Sequence, residues 1–184
     1  LGADPGEIAV TDSATRAWDI AFASLQLGEG DRILTTTSEY GANYIAYLQL
    51  AQRSGVVIDV VPDSATGEID VTALADMLDE RVRLISINHI PTNGGLVNPA
   101  AAVGRVANAA GIPYLLDACQ SVGQLPVDVE EIGCDYLSVT GRKFLRGPRG
   151  TGLLYVRREI LEDLEPAVLD LWGATWVAPD RYEV

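Results

Sequence analysis

The stretch LLDACQSVGQLPVDVEEIGCDYLSVTGRKFLRGPRGTGLLYVR, Leu115 to Arg157, is where the fold can be read. Three short apolar runs sit in or at the start of it: Pro113–Leu116, Tyr136–Val139 and Gly152–Val156. They have the length of buried strands and are bounded by Gly, Pro and Asp. The loop between the last two, GRKFLRGPRGTG, is too short for the helical crossover that joins parallel neighbours. An antiparallel strand is therefore expected to enter the sheet after it.

The same rhythm continues outward. Strands are expected at Glu7–Val10, Arg32–Thr36, Val56–Val61 and Arg83–Asn88. Helices are expected at Thr15–Leu25, Asn43–Arg53, Val71–Leu78, Pro99–Ala110 and Glu159–Leu164. Alternating strand and helix predicts a three-layer α/β/α fold around a mostly parallel, mixed sheet. VVIDVV and RLISI are apolar on both faces, as strands covered by helices on both sides would be. Gly28, Gly55 and Gly111 are expected just past helix ends, and Asp70 and Asn98 as caps of the helices that follow them. The tail LWGATWVAPDRYEV has no core-building periodicity, so residues 1–165 read as one domain and 166–184 as the start of a connection.

With 48% hydrophobic and 21% charged residues, the 184-residue chain can bury a sizeable core. No stretch approaches the roughly 20 unbroken apolar residues of a membrane span. LGADPGEIAV has no basic segment ahead of an apolar run, so no secretory signal is expected. The net charge of −13 argues against nucleic acid and anionic membranes as partners. Yet Arg142, Lys143, Arg146, Arg149, Arg157 and Arg158 gather in one short span, a positive island suited to an anionic ligand. Cys119 and Cys134 have neither metal-ligand nor disulfide-scaffold spacing and read as reduced thiols of a cytoplasmic protein. The single histidine, His89, excludes multi-histidine zinc sites, and no metal site is expected.

In open α/β sheets, ligands bind beyond the carboxyl ends of the strands. The polar residues expected there are Thr11 to Thr15, Ser38 to Tyr40, His89 to Asn93, Asp117 to Gln120 and Thr140 to Lys143. Together they suit pyridoxal phosphate (PLP), an aldehyde cofactor with a pyridine ring and a phosphate. Lys143 can form the Schiff base, and a partly desolvated, positive setting favours its reactive amine. Asp117, at a strand end, can keep the pyridine nitrogen protonated. Ser13-Ala14-Thr15 opens a helix whose free N–H groups can receive the phosphate, and Tyr40 can stack on the ring. Each element also has a plainer reading: Asp117 as a turn former, Lys143 as a solvated loop lysine, Ser13 as a simple N-cap, His89 as a satisfied half-buried histidine. Only their joint occurrence points to the cofactor. No G-x-G-x-x-G opens a helix after a strand and no G-x-x-x-x-G-K-[ST] occurs, which disfavours a nucleotide-binding domain.

Leu115 to Arg157 resembles the core of the class V aminotransferase family of fold-type I PLP enzymes. That family includes cysteine desulfurases, selenocysteine and cystine lyases, and isopenicillin N epimerase-like proteins. Its pattern is Asp-x-x-Gln after a strand, then Pro-x-Asp, then Ser/Thr-x-His-Lys at a strand end, then Gly-Pro-x-Gly-x-Gly. Here these are Asp117 and Gln120, Pro126 and Asp128, Thr140 and Lys143, and Gly147-Pro148 with Gly150 and Gly152. The resemblance covers essentially the whole chain and implies a partial PLP-dependent transferase large domain. SATRAWD resembles the phosphate-binding turn, which implies that role for Ala14 and Thr15, and SEYGANY resembles the segment whose ring stacks on the cofactor, here Tyr40. In NHIPTNGGLVNP the family's asparagine falls on Thr92 or Asn93 according to a one-residue shift, and Asn93 is preferred. By the same resemblance Asp117 pairs with the pyridine nitrogen, Gln120 reaches the phenolic oxygen and Thr140 joins the phosphate site.

Two residues depart from the family's pattern. Desulfurases usually carry histidine where Tyr40 stands; a tyrosine can stack, but it is a different acid. Arg142 replaces the usual histidine before the lysine, and its permanent charge can still serve the phosphate. The resemblance implies an amino-acid substrate and a homodimer. It also implies a small C-terminal domain, a substrate-carboxylate arginine and a mobile cysteine loop beyond Val184. The expected chemistry is that of a C–S lyase (desulfurase-like) or epimerase-like enzyme with Lys143, Asp117 and Tyr40 as catalytic groups. A class V aminotransferase is the alternative, and a catalytically silent fragment or binding domain the alternative of another class.

Overall fold

The computed structural model describes residues 1–161, 164–170 and 172–184. After a short 3₁₀ turn, Pro5–Glu7, the first half runs β1 (Ile8–Thr11), α1 (Ala14–Ala23), β2 (Arg32–Thr36), α2 (Gly41–Ser54), β3 (Val57–Val61), α3 (Val71–Asp76) and β4 (Val82–Asn88). The second half runs α4 (Ala100–Ala110), β5 (Tyr114–Asp117), α5 (Val129–Ile132), β6 (Tyr136–Thr140), β7 (Gly152–Val156), α6 (Arg158–Leu161), β8 (Thr175–Ala178) and β9 (Arg181–Glu183). Seven strands form one sheet in the order β1-β7-β6-β5-β4-β2-β3. Strands β2 to β6 pair in parallel, while β7 is antiparallel to both β6 and β1. The short Gly/Pro loop thus makes the antiparallel entry that its length demands.

Strand periodicity sends alternate side chains into two cores. In β5, Tyr114 and Leu116 join Ile85, Ile87, Leu137 and the α4 residue Val103 on one face. Leu115 joins Ile33, Leu84 and the α1 residues Trp18 and Phe22 on the other. The three-layer arrangement follows from these two apolar faces. RLISI lies in β4, which is buried on both sides. VVIDVV does not behave that way: β3 is the outer strand of the sheet, with Val57 42% exposed. An edge position exposes one flank whatever the composition of the strand.

Capping corrects several expectations. Gly55 and Gly111 end α2 and α4 in the left-handed conformation (φ 75° and 65°). Gly28 has no such role, because α1 stops at Ser24 and Gln26 takes the left-handed turn instead (φ 47°). Asp70 caps α3, accepting the N–H groups of Thr72 and Ala73. Asn98 does not cap α4. Its buried amide accepts the Ile69 N–H at 3.0 Å and donates to the Asn88 carbonyl at 2.8 Å, tying two loops together. The four-residue α5 escapes periodicity, yet Asp128 of the Pro-x-Asp motif caps it. The helix expected at Glu159–Leu164 is present over Arg158–Leu161, and residues 162 and 163 lie outside the described residues. In the tail, β8 and β9 form an antiparallel hairpin of their own. Among the described residues no helix is long and apolar enough to cross a membrane.

Candidate active site

Strands β4, β5 and β6 end side by side on one cleft. The turn between β1 and α1 brings Ser13, Ala14 and Thr15 to it, and the start of α2 brings Tyr40. The end of β4 adds Asn88, Ile90 and Thr92; β5 adds Asp117, Cys119 and Gln120; β6 adds Thr140, Arg142 and Lys143.

Ser13 caps α1, its hydroxyl accepting the Arg16 N–H at 3.1 Å. Ala14 and Thr15 hold the first two helical positions, where the backbone N–H has no acceptor within the helix. The helix end is therefore a positive, donor-rich wall of the cleft. Gly152 makes this placement possible. It lies opposite Thr11 in the β1–β7 ladder, and a Cβ there would stand 2.5 Å from the Ser13 carbonyl carbon and 2.8 Å from the Ala14 nitrogen.

On the far side, the chain leaves β6 through a tight turn. Gly141 donates to the Thr151 carbonyl (2.8 Å), Gly147 to the Gly141 carbonyl (2.7 Å) and Arg146 to the Lys143 carbonyl (3.0 Å). Arg146 adopts the left-handed conformation (φ 56°) to close it. Lys143 is half-buried on this turn, its Nζ 6.0 Å from the centre of the Tyr40 ring. It is also the chain's only lysine.

Asp117 closes the floor and is 7% exposed. Its Oδ1 accepts the Cys119 N–H at 2.9 Å and its Oδ2 accepts from Asn43 Nδ2 at 3.2 Å. Burial, reinforced by the Asp117 charge, pushes the Cys119 thiol well above its ordinary pKa, so it stays protonated. Asn88 lies beside Asp117 in the β4–β5 register. Its Nδ2 donates to the Ser38 carbonyl at 2.9 Å, and its Oδ1 is buried without a partner.

Of the residues expected at the site, Ala14, Thr15, Tyr40, Asp117, Gln120, Thr140, Arg142 and Lys143 all line this one cleft. Asn93 does not; Thr92 lines it instead, and Asn93 lines the adjoining cleft with Thr37 and Ser38. The loop between them is pinned by the His89 N–H on the Asp117 carbonyl and by the Asn98 N–H on the His89 carbonyl. Thr92 and Asn93 are both exposed, and Thr92 lines both clefts. His89 lies apart from this cleft, lining another with Pro99 and Ala100 at the start of α4, and burial holds its pKa below the usual imidazole value. Residue pattern gives no sign of Asn88 or Asn43, while Glu39 and Cys119 fall within the expected strand-end segments without a role of their own. Glu39 and Asn43 are four apart around the start of α2, but nothing local shows that Asn43 meets Asp117, 74 positions away.

The sheet is mixed, with one antiparallel strand beside the site-bearing strands and a lysine and a carboxylate at their ends, the arrangement of a three-layer α/β fold. The model of the aminotransferase class-V family matches residues 1–172, and the chain belongs to that family. The protein named "Probable cysteine desulfurase" of Methanothermobacter thermautotrophicus is 34% identical over 99% of this chain and 45% of its own length. The apo structure of a cysteine desulfurase from Thermococcus onnurineus NA1 superposes with a TM-score of 0.91 at 25% identity, covering 100% of this chain and 46% of that one. The cystine C–S lyase C-DES, in complex with its product cysteine persulfide, gives 0.85 at 31% identity over 97% of this chain and 49% of its own. A lysine-to-alanine variant of C-DES, with glycine covalently linked to the PLP cofactor, gives 0.84 at 30% identity over 96% and 47%. The chain thus spans less than half the length of the curated relatives it matches.

Proposed function

We propose that this chain is the PLP-binding part of an enzyme that cleaves the C–S bond of a sulfur-bearing amino acid such as cysteine or cystine. The observation that carries it is the convergence of Lys143, Asp117, Tyr40 and the open end of α1 on one cleft. The donor set suits the cofactor. A buried carboxylate matches a pyridinium nitrogen, a helix N-terminus and Arg142 match a phosphate, and the unpartnered Asn88 Oδ1 leaves an acceptor beside Asp117. Gly152, which leaves room for the helix end, fits the same purpose.

When bound, the cofactor supplies a protonated ring that draws electron density from the substrate's Cα. With the group in place, Lys143 Nζ would be the amine that holds it and the base placed to take the proton at the substrate's Cα. Asp117 would hold the ring nitrogen in its protonated form, and Tyr40 would lie beside the ring. Ala14, Thr15, Thr140 and Arg142 would hold the phosphate, and Gln120 the phenolic oxygen. Residues 1–165 form the cofactor-binding unit. A homodimer is the family's usual state, and the two buried free thiols, Cys119 and Cys134, suit a reducing, cytoplasmic setting.

Tyr40 favours one second reading. Without the family's proton-moving histidine, an epimerase-like reaction keeps the same cofactor chemistry and returns the proton to the other face of Cα. The deciding experiment incubates the protein with PLP, reduces with borohydride and maps the labelled peptide. Label anywhere but Lys143 refutes the site. Sulfide or persulfide release from cysteine or cystine supports the lyase; racemised substrate, keto acid with amino-group transfer, or no turnover would replace it by the epimerase, the aminotransferase or a silent domain.

Gly152→Ala tests the phosphate wall separately. Its new Cβ must push the Ser13–Ala14 backbone off the cleft, a strain of about 1–3 kcal/mol. PLP affinity is expected to fall roughly tenfold or more, with free phosphate competing less well. An unchanged titration would remove the α1 terminus from the site.

A further inference from the structure

Behind the cleft, two carboxylates share one amide. Asn43, 3% exposed in the first turn of α2, directs Nδ2 at Asp117 Oδ2 (3.2 Å) and at Glu39 Oε1 (3.1 Å), one hydrogen for each. Glu39 Oε1 also accepts the Tyr40 N–H at 2.6 Å, and Oε2 accepts the Thr35 hydroxyl at 3.1 Å. Tyr47 Oη stands 3.4 Å from Oε2, while its hydrogen serves Ser86 Oγ at 2.7 Å. The titratable groups facing Glu39 are Asp117 from β5, Tyr47 from α2 and the adjacent Tyr40, with Lys143 6.0 Å beyond the Tyr40 ring. Thr35 of β2 and Ser86 of β4 are neutral. Among the described residues neither carboxylate has a salt-bridge partner. Burial above all, with the Asp117 charge adding to it and the hydrogen bonds from Tyr40, Asn43 and Thr35 opposing, raises the Glu39 carboxyl to about 7.

We propose that Glu39 is a positioning residue for Asp117: through Asn43 it fixes the carboxylate that faces the cofactor's ring nitrogen. This rests on PLP being the ligand of the cleft. A docked cation offsets the repulsion between the two carboxylates and so favours ionised Glu39. By linkage, ionised Glu39 strengthens the docking in equal measure. The pyridinium proton stays with the ring and Asp117 throughout.

Glu39→Gln removes the charge and keeps the shape: the amide oxygen can still accept from Tyr40 and Asn43, and the NH₂ can donate to Thr35 and Tyr47. PLP affinity of both proteins is measured by titration at about pH 6 and about pH 8, on either side of the Glu39 ionisation. The expected result is near-equal affinity at the lower pH and about fivefold or more weaker binding by the variant at the higher. A constant ratio at both pH values overturns the proposal while leaving the cofactor assignment intact. Failure of the unaltered protein to bind PLP at either pH overturns both. A second readout needs no cofactor. Because the folded carboxyl is raised to about 7 from 4.5, its stabilising contribution is complete below 4.5 and is lost as the pH rises towards 7. The unaltered protein is therefore expected to lose stability relative to Glu39→Gln across that window in denaturant titrations, and parallel curves would overturn the proposal.

Discussion

Lys143→Ala is expected to abolish the borohydride-fixed PLP adduct and to lower turnover of the enzyme by roughly 10²–10⁴-fold, the usual worth of one positioned acid–base group. Lys143 carries the only lysine amine in the chain, so no neighbour here can take over the condensation. Its position depends little on its own side chain. The turn after β6 is held by the backbone bonds of Gly141, Arg146 and Gly147, so the alanine variant should fold and still bind PLP without the covalent link. Lys143→Arg keeps the charge and loses the nucleophile, and it is expected to behave like the alanine variant in turnover. Either variant retaining the fixed adduct within this chain would end the case for Lys143.

Asp117→Ala carries the second large effect. The carboxylate is 7% exposed and accepts from Cys119 N–H and Asn43 Nδ2, so its removal strips both donors of their acceptor and leaves a bound pyridinium unpaired. Breaking a buried charge pair from one side costs about 3–5 kcal/mol, which corresponds to PLP affinity lower by roughly 10²- to 4 × 10³-fold. Exchange of the substrate's Cα proton with solvent deuterium should vanish with it. Asp117→Asn keeps the shape and one acceptor; it should bind PLP better than the alanine variant yet exchange no faster. Exchange at the unaltered rate in either variant would refute the role given to Asp117.

Most of the scaffold is legible in the sequence. Apolar runs such as Pro113–Leu116 report strands because a strand covered on both faces must be apolar on both, and β5 and β6 are so covered. Asp70, Gly55 and Gly111 report helix ends because capping and left-handed φ are properties of single residues. Asn98 misled for a corresponding reason: the same amide that can cap a helix can instead satisfy Ile69 and Asn88 in a neighbouring loop. The edge exposure of β3 depends on the order of strands in the sheet, which no stretch of the chain encodes by itself.

The proposed cofactor site divides in the same way. The motif from Asp117 through Lys143 to Gly152 is readable in the sequence through its resemblance to the class V pattern, and the fold brings Asp117 and Lys143 to one cleft. Tertiary structure alone decided that Thr92 faces the cleft in place of Asn93, that Gly152 makes way for the start of α1, and that Asn43 joins Glu39 to Asp117. Each of these is a meeting between distant segments or a choice between adjacent residues. Such contacts are settled by sheet order and the need to satisfy buried polar groups, and only the folded chain brings those two together.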